Sequence, residues 1–150
     1  MKIPVRVNAE AVVLEASPDE TLLAALRRAG LRSVRLTCGI GVCGACTVLI
    51  DGLPMSSCLV LAPAASGAQI TTAEALPDDD PVAAAFQELS AFQCGYCTPG
   101  FVLTARALLA EVPSPSDDDI RHALAGNLCR CGSYVKILQA VRVAAGRDAS

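Results

Sequence analysis

The sequence predicts an α+β chain built in two parts. Apolar residues recur with period two through much of the first half and with a period near 3.6 through the second. Eight cysteines divide four and four between the halves. The period changes near residues 72–81, and the division is set at 1–75 and 76–150.

Taken in order, KIPVRVN and EAVVLEA read as strands joined tightly at Asn8-Ala9, a hairpin. Ser17-Pro18-Asp19-Glu20 reads as a capping box, with Ser at the cap, Pro at the first helical position and Glu three residues after the cap. It opens the helix TLLAALRRAG, which stops at Gly30. After a cysteine- and glycine-rich loop, CTVLIDGLPMSSC reads as strand, Asp51-Gly52 turn and strand, and AQITT at 68–72 as a last short strand. This order around a metal-like loop predicts a β-grasp topology of the plant-type ferredoxin kind. In the second half, Asp80-Pro81 opens PVAAAFQELSAF and Pro99 opens GFVLTARALLAEV. Ser116 with Asp119 caps IRHALAG, which ends at Gly126, and YVKILQAVRVAAG follows Ser133. These are four short helices separated by cysteines, glycine and proline.

Composition narrows the function. Hydrophobic residues make up 53% of the chain and charged residues 18%, which excludes a disordered protein. The mean hydropathy of +0.46 is high for a lone soluble chain. There is no apolar run of about 18 residues that would span a membrane, so the excess points to a subunit burying an apolar face against partners. A net charge of -3 without a basic block argues against nucleic acid. MKIPVRVNAE lacks the apolar core and cleavage site of a secretory signal, and Arg27-Arg28 lies inside a helix rather than before an apolar stretch. A cytoplasmic location is expected, with export on a partner's signal left open.

The cysteines carry the chemistry. The first set is Cys38-x4-Cys43-x2-Cys46-x11-Cys58 and the second Cys94-x2-Cys97-x31-Cys129-x1-Cys131. A disulfide framework is disfavoured, because both sets cluster and a Cys-x-Cys pair is poorly placed to bridge. Zinc is the stronger rival, yet neither set has the two Cys-x2-Cys pairs of its usual signature. The first set instead has the plant-type spacing that holds a [2Fe-2S] cluster. Backbone amides can converge on such a cluster only where side chains are absent and positive φ is allowed, which Gly39, Gly41 and Gly44 permit. The second set, between helices whose N-termini lie at Pro99 and near Ser133, fits either metal.

Three stretches together, TCGIGVCGACTVLIDGLPMSSCL, FQCGYCTPGFVLTARALL and LAGNLCRCGSYVKILQAV, resemble the iron-sulfur subunit or N-terminal domain of the molybdenum hydroxylases. These include the xanthine dehydrogenase, aldehyde oxidoreductase and carbon monoxide dehydrogenase relatives. The resemblance covers roughly residues 1–145. It implies two [2Fe-2S] clusters, the first on Cys38, Cys43, Cys46 and Cys58 in a plant-ferredoxin-like half and the second on Cys94, Cys97, Cys129 and Cys131, buried between the helices of a C-terminal four-helix bundle. The second would lie nearest a molybdopterin cofactor in a large subunit, with Gln93 and Cys131 contacting the pterin. The first would pass electrons to FAD in a medium subunit, or to a cytochrome. The chain itself would hold no catalytic residue. Two departures stand out: CRCGSY where the family commonly has CRCTGY, a variant of aldehyde- and N-heterocycle-oxidising branches, and Thr37 where Gly usually precedes the first ligand.

Other residues read as structural. His122 faces solvent on a helix, and a Rieske centre would need two histidines. Asp117, Asp118 and Asp119 sit at the positive end of a helix. Phe86, Phe92 and Phe101 read as core, and Tyr96 and Tyr134 as packing over a cluster. The expected function is electron transfer within a molybdenum hydroxylase. A free two-cluster carrier and a zinc-binding structural adaptor are its rivals.

Overall fold

A computed structural model describes residues 1–149. The chain begins with the expected hairpin: β1 (Lys2–Val7) and β2 (Glu10–Glu15) pair antiparallel, Lys2 opposite Glu15 and Val7 opposite Glu10. Alternation turns Ile3, Val5 and Val7 inward. The two linking residues both have positive φ, 53° at Asn8 and 70° at Ala9, which suits the right-handed twist of a two-residue hairpin. Asn8 also ties the turn to the end of the unit: its amide nitrogen donates to the Thr72 hydroxyl and its oxygen accepts from the Thr72 amide, each at 2.9 Å.

Helix α1 (Leu22–Arg28) lays Leu22, Leu23, Ala25 and Leu26 on the sheet. Its cap differs from the sequence reading. Thr21, not Ser17, accepts from the Ala24 amide, while Ser17 and Glu20 close a separate turn. The reason is tertiary: Thr21 bridges to Leu61 and the Leu22 amide donates to Val60, which holds the backbone extended at Thr21. Gly30, at φ 94°, ends the helix as expected.

Strands β3 (Thr47–Ile50) and β4 (Leu53–Ser56) form a second hairpin about Asp51-Gly52. Strand β5 (Gln69–Thr71) runs parallel to β1 and antiparallel to β3, giving the order β2-β1-β5-β3-β4. Ile3, Leu14, Leu22, Leu26, Val34, Val48 and Ile70 form the core beneath, and Cys46 and Cys58 are part of it.

The remaining helices are α2 (Pro81–Glu88), α3 (Thr98–Glu111), α4 (Asp117–Leu124) and α5 (Tyr134–Ala144). Asp80 caps α2 and pairs with Arg106 of α3, and Ser116 and Asp119 make the expected capping box on α4. Phe86, Phe101, Val102, Ile120, Ile137 and Val141 fill the second core, which includes Cys129. Helix α3 also packs on β3, so the sheet and the helices meet. His122 is exposed, as expected. Phe92 is not core: it is 38% exposed, because α2 ends at Glu88 and the chain turns outward before Gln93.

Candidate metal centres

The first four cysteines gather around the loop between α1 and β3. Gly39, Gly41 and Gly44 take φ of 68°, 77° and 68°, so the loop folds back on its own sulfurs. The amides of Ile40, Cys43 and Val42 point at the Cys38 sulfur and lower its thiol to about 6. The Gly41 amide points at the Cys58 sulfur, but burial dominates there and pushes the thiol up to about 11. Gly44 is the most confined of the three: a Cβ there would lie 2.4 Å from the Gly126 carbonyl oxygen and 2.6 Å from the Asn127 amide nitrogen. At Gly41 the obstacle is the side chain of Leu59, at 2.3 Å. Ser57, fully buried, donates its hydroxyl to the Cys46 carbonyl at 2.7 Å and fixes the segment carrying Cys58.

The second four lie at helix ends. Cys97 is the cap of α3, and Cys129 and Cys131 precede α5, which begins at Tyr134. Both helices therefore present N-terminal amides beside the sulfurs, as the sequence predicts. Burial raises the Cys97 thiol to about 12. Burial opposes the thiolate at Cys129 too, but donors from Ser133 and the Cys131 amide outweigh it and the thiol is lowered. The Tyr96 amide lowers the thiol of Cys94. Cys94 is exposed while Cys129 is buried, so the second set is open on one side. Gln93 is exposed beside it, and its amide donates to the Cys131 carbonyl at 3.4 Å.

Sequence reasoning did not find the junction between the sets. The Leu128 amide donates to the Cys43 carbonyl at 2.9 Å. Asn127, 5% exposed, donates to the Gly44 carbonyl at 3.1 Å and accepts from Thr104 at 3.1 Å. A Cβ on Gly100 of α3 would lie 2.4 Å from the Gly44 carbonyl oxygen, so the helix approaches the loop as closely as glycine allows. The signal available was the Asn-Leu of GNLCRC, but no periodicity says which loop a lone asparagine will reach.

The eight thiols are all free, and they come in twos. The side chain of Cys43 acts on the Cys38 thiol and lowers it, and that of Cys46 acts on the Cys58 thiol and raises it. The sulfurs of Cys94 and Cys131 are 3.6 Å apart, and the side chain of Cys129 acts on the Cys97 thiol and raises it. Among the described residues, no three His, Cys, Asp or Glu side chains group around a single-ion position. One tetrahedral zinc takes four thiolates at one centre, whereas a two-iron rhomb takes a pair at each iron. The donor set fits two [2Fe-2S] clusters, whose charge would hold Cys58 and Cys97 deprotonated against their burial.

Comparison with known proteins agrees. Residues 5–76 match the 2Fe-2S iron-sulfur cluster binding domain, and residues 72–142 match the [2Fe-2S] binding domain. The chain is 45% identical to the nicotinate dehydrogenase small FeS subunit of Eubacterium barkeri over 152 aligned residues, covering 99% of this chain and 97% of that one. It belongs to the iron-sulfur subunit family of the molybdenum hydroxylases. Another member, the nicotine 6-hydroxylase small subunit of Paenarthrobacter nicotinovorans, is 43% identical over 98% of this chain and 91% of its own length. Among solved structures, quinoline 2-oxidoreductase from Pseudomonas putida superposes with a TM-score of 0.93 at 42% identity, covering 97% of this chain and 94% of the matched chain. The aldehyde oxidoreductase of Desulfovibrio gigas gives a TM-score of 0.91 at 34% identity, with 97% of this chain covering 17% of that one. As a family member matching one cluster-binding domain in each half, the chain is a two-cluster protein. No helix among the described residues is long and apolar enough to cross a membrane.

Proposed function

We propose that this chain is the electron-transfer subunit of a heteromeric molybdenum hydroxylase, relaying electrons from a molybdopterin cofactor in a large subunit through two [2Fe-2S] clusters to FAD or another acceptor. Residues 1–75 are read as a β-grasp, plant-type ferredoxin unit and 76–150 as a four-helix bundle unit, a division that the matched segments 5–76 and 72–142 support. Cys38, Cys43, Cys46 and Cys58 are assigned to the first cluster and Cys94, Cys97, Cys129 and Cys131 to the second, on the pairing of the thiols. When bound, each cluster supplies one-electron redox chemistry.

The observation that carries the reading is the backbone bond from Leu128 to Cys43. It joins a ligand of one set to the neighbour of a ligand of the other, with no side chain or solvent between. The chain's own residues do the rest: loop amides hold the thiolates, Asn127 seals the junction, and the two cores keep water from Cys46, Cys58 and Cys129.

Two open sides are the faces we assign to partners. Leu36, Ile40, Val42, Leu59 and Leu61 expose apolar side chains around the first set, a face suited to a flavin-binding medium subunit or a cytochrome. Exposed Cys94 and Gln93, with Phe92 beside them, form the face assigned to the large subunit, where Gln93 and Cys131 meet the pterin. Relatives named for nicotinate, nicotine and quinoline support an N-heteroaromatic substrate, oxidised in the large subunit.

The test is to purify the native complex and add substrate without oxygen. Reduction of both clusters by an N-heteroaromatic compound, dependent on the large subunit, is the expected result; reduction by aldehydes alone would move the substrate assignment. Recovery of the chain as a free monomer that exchanges electrons with soluble carriers would overturn the subunit reading.

A further inference from the structure

A second attachment joins the two cysteine loops, away from Asn127 and Leu128. The Tyr96 hydroxyl, between Cys94 and Cys97, donates to the Leu36 carbonyl at 2.8 Å, two residues before Cys38. The guanidinium of Arg35 lies over the Tyr96 ring, 5.0 Å from its centroid. Arg35 is held in turn by its amide, which donates at 3.1 Å to the carbonyl of Ala45, between Cys43 and Cys46.

Two features mark this as more than packing. Tyr96 is 40% exposed, so its ring fills little core, and Phe would cover the same surface. The Arg35 Nε is buried without a hydrogen-bond partner, a cost offset in part by the aromatic face beneath the guanidinium. Position explains the arrangement. Leu36 is at the entry of the first cysteine loop, whereas Cys43 and Gly44 are at its turn. Tyr96 sits within the first pair of the second set, whereas Leu128 precedes the second pair. The junction at Asn127 and Leu128 holds the turn of the first loop, and the Tyr96 clasp adds a hold at its entry, so the loops are tied at two separate points.

We infer that Tyr96 is a positioning residue: clasped by Leu36 and Arg35, it fixes the orientation of the two cluster loops and so the coupling between the clusters. This rests on the assignment of a cluster to each cysteine set. Tyr96 lies off the short route through Leu128 and Cys43, so its contribution is geometry rather than conduction.

The test uses the full chain with both clusters, fully reduced, and reads the magnetic interaction between them as line splitting at low temperature. Tyr96→Phe keeps the ring and removes the Leu36 bond; Arg35→Gln removes the cation and keeps the hydroxyl. The expected result is that both variants retain parental iron content and visible absorption but lose the resolved splitting, which broadens. Parental splitting in both variants overturns the inference. Loss of a cluster in both also overturns it, because a positioning role leaves ligation intact; if only one variant loads fully, its splitting decides. A parent chain without visible bands would instead refute the cluster assignment itself.

Discussion

The amide of Leu128 and the carbonyl of Cys43 are 2.9 Å apart, and this one bond links the backbone of the two cysteine sets. Asn127 supports it from the next position, donating to Gly44 and, at 3.4 Å, to Thr47. Asn127→Ala is predicted to destabilise the chain by about 1–3 kcal/mol, the usual range for stripping a buried hydrogen-bonding group. Asn127→Asp should cost more, since it buries a carboxylate against the Gly44 carbonyl oxygen with no cation in the junction. Urea unfolding followed by cluster absorption ranks the two; an aspartate variant as stable as the parent would show that the junction is not sealed.

The glycines of the first loop should not be equivalent. Gly39→Ala meets only Leu36, at 3.9 Å, so it carries the left-handed backbone penalty of about 1–2 kcal/mol and little else. Gly44→Ala must also displace backbone at Gly126 and the amide of Asn127. The former is expected to keep both clusters and the latter to lose the first or fail to fold, as read from iron content and visible spectra.

The exposed apolar residues of the first loop give a separable prediction. Ile40 is 69% exposed, so Ile40→Asp should leave stability and cluster content unchanged while weakening association with the acceptor subunit. Pull-down of the complex from cells making the variant checks this.

Asp117 ties the first turn of α4 to Arg142 in the last turn of α5, with Arg121 at 3.8 Å and Arg147 at 3.6 Å. The Arg142 hydrogen bond holds its carboxyl below the usual value of 3.8. A depressed carboxylate stabilises the fold in full above that unfolded value and loses the contribution as pH falls through the lower native one. Asp117→Asn should therefore be less stable than the parent at pH 7. Thermal unfolding at falling pH should show the gap closing only below about pH 4.

The sequence was most legible where local chemistry decides. The Asn8-Ala9 and Asp51-Gly52 turns, the Ser116–Asp119 box and the positive φ of the loop glycines each follow from residues within reach of one another. It was least legible where distant segments compete. Ser17 and Glu20 satisfy a capping pattern, but pairing of Thr21 with Leu61 moves the cap four residues on. Phe92 looks like core until the early end of α2 turns it outward. The cysteine spacings divide the eight thiols into two sets of four, while the junction through Asn127, Leu128 and Tyr96 depends on residues 60 to 85 positions apart.

Each cysteine set is assigned its own [2Fe-2S] cluster. Electron paramagnetic resonance of the dithionite-reduced chain tests this assignment most directly, alongside the visible spectrum of the oxidised form. Two distinct rhombic signals are predicted, with Cys58→Ser removing or altering one and Cys129→Ser the other. A single signal would contradict the assignment of the second set, and a chain without visible bands would contradict both.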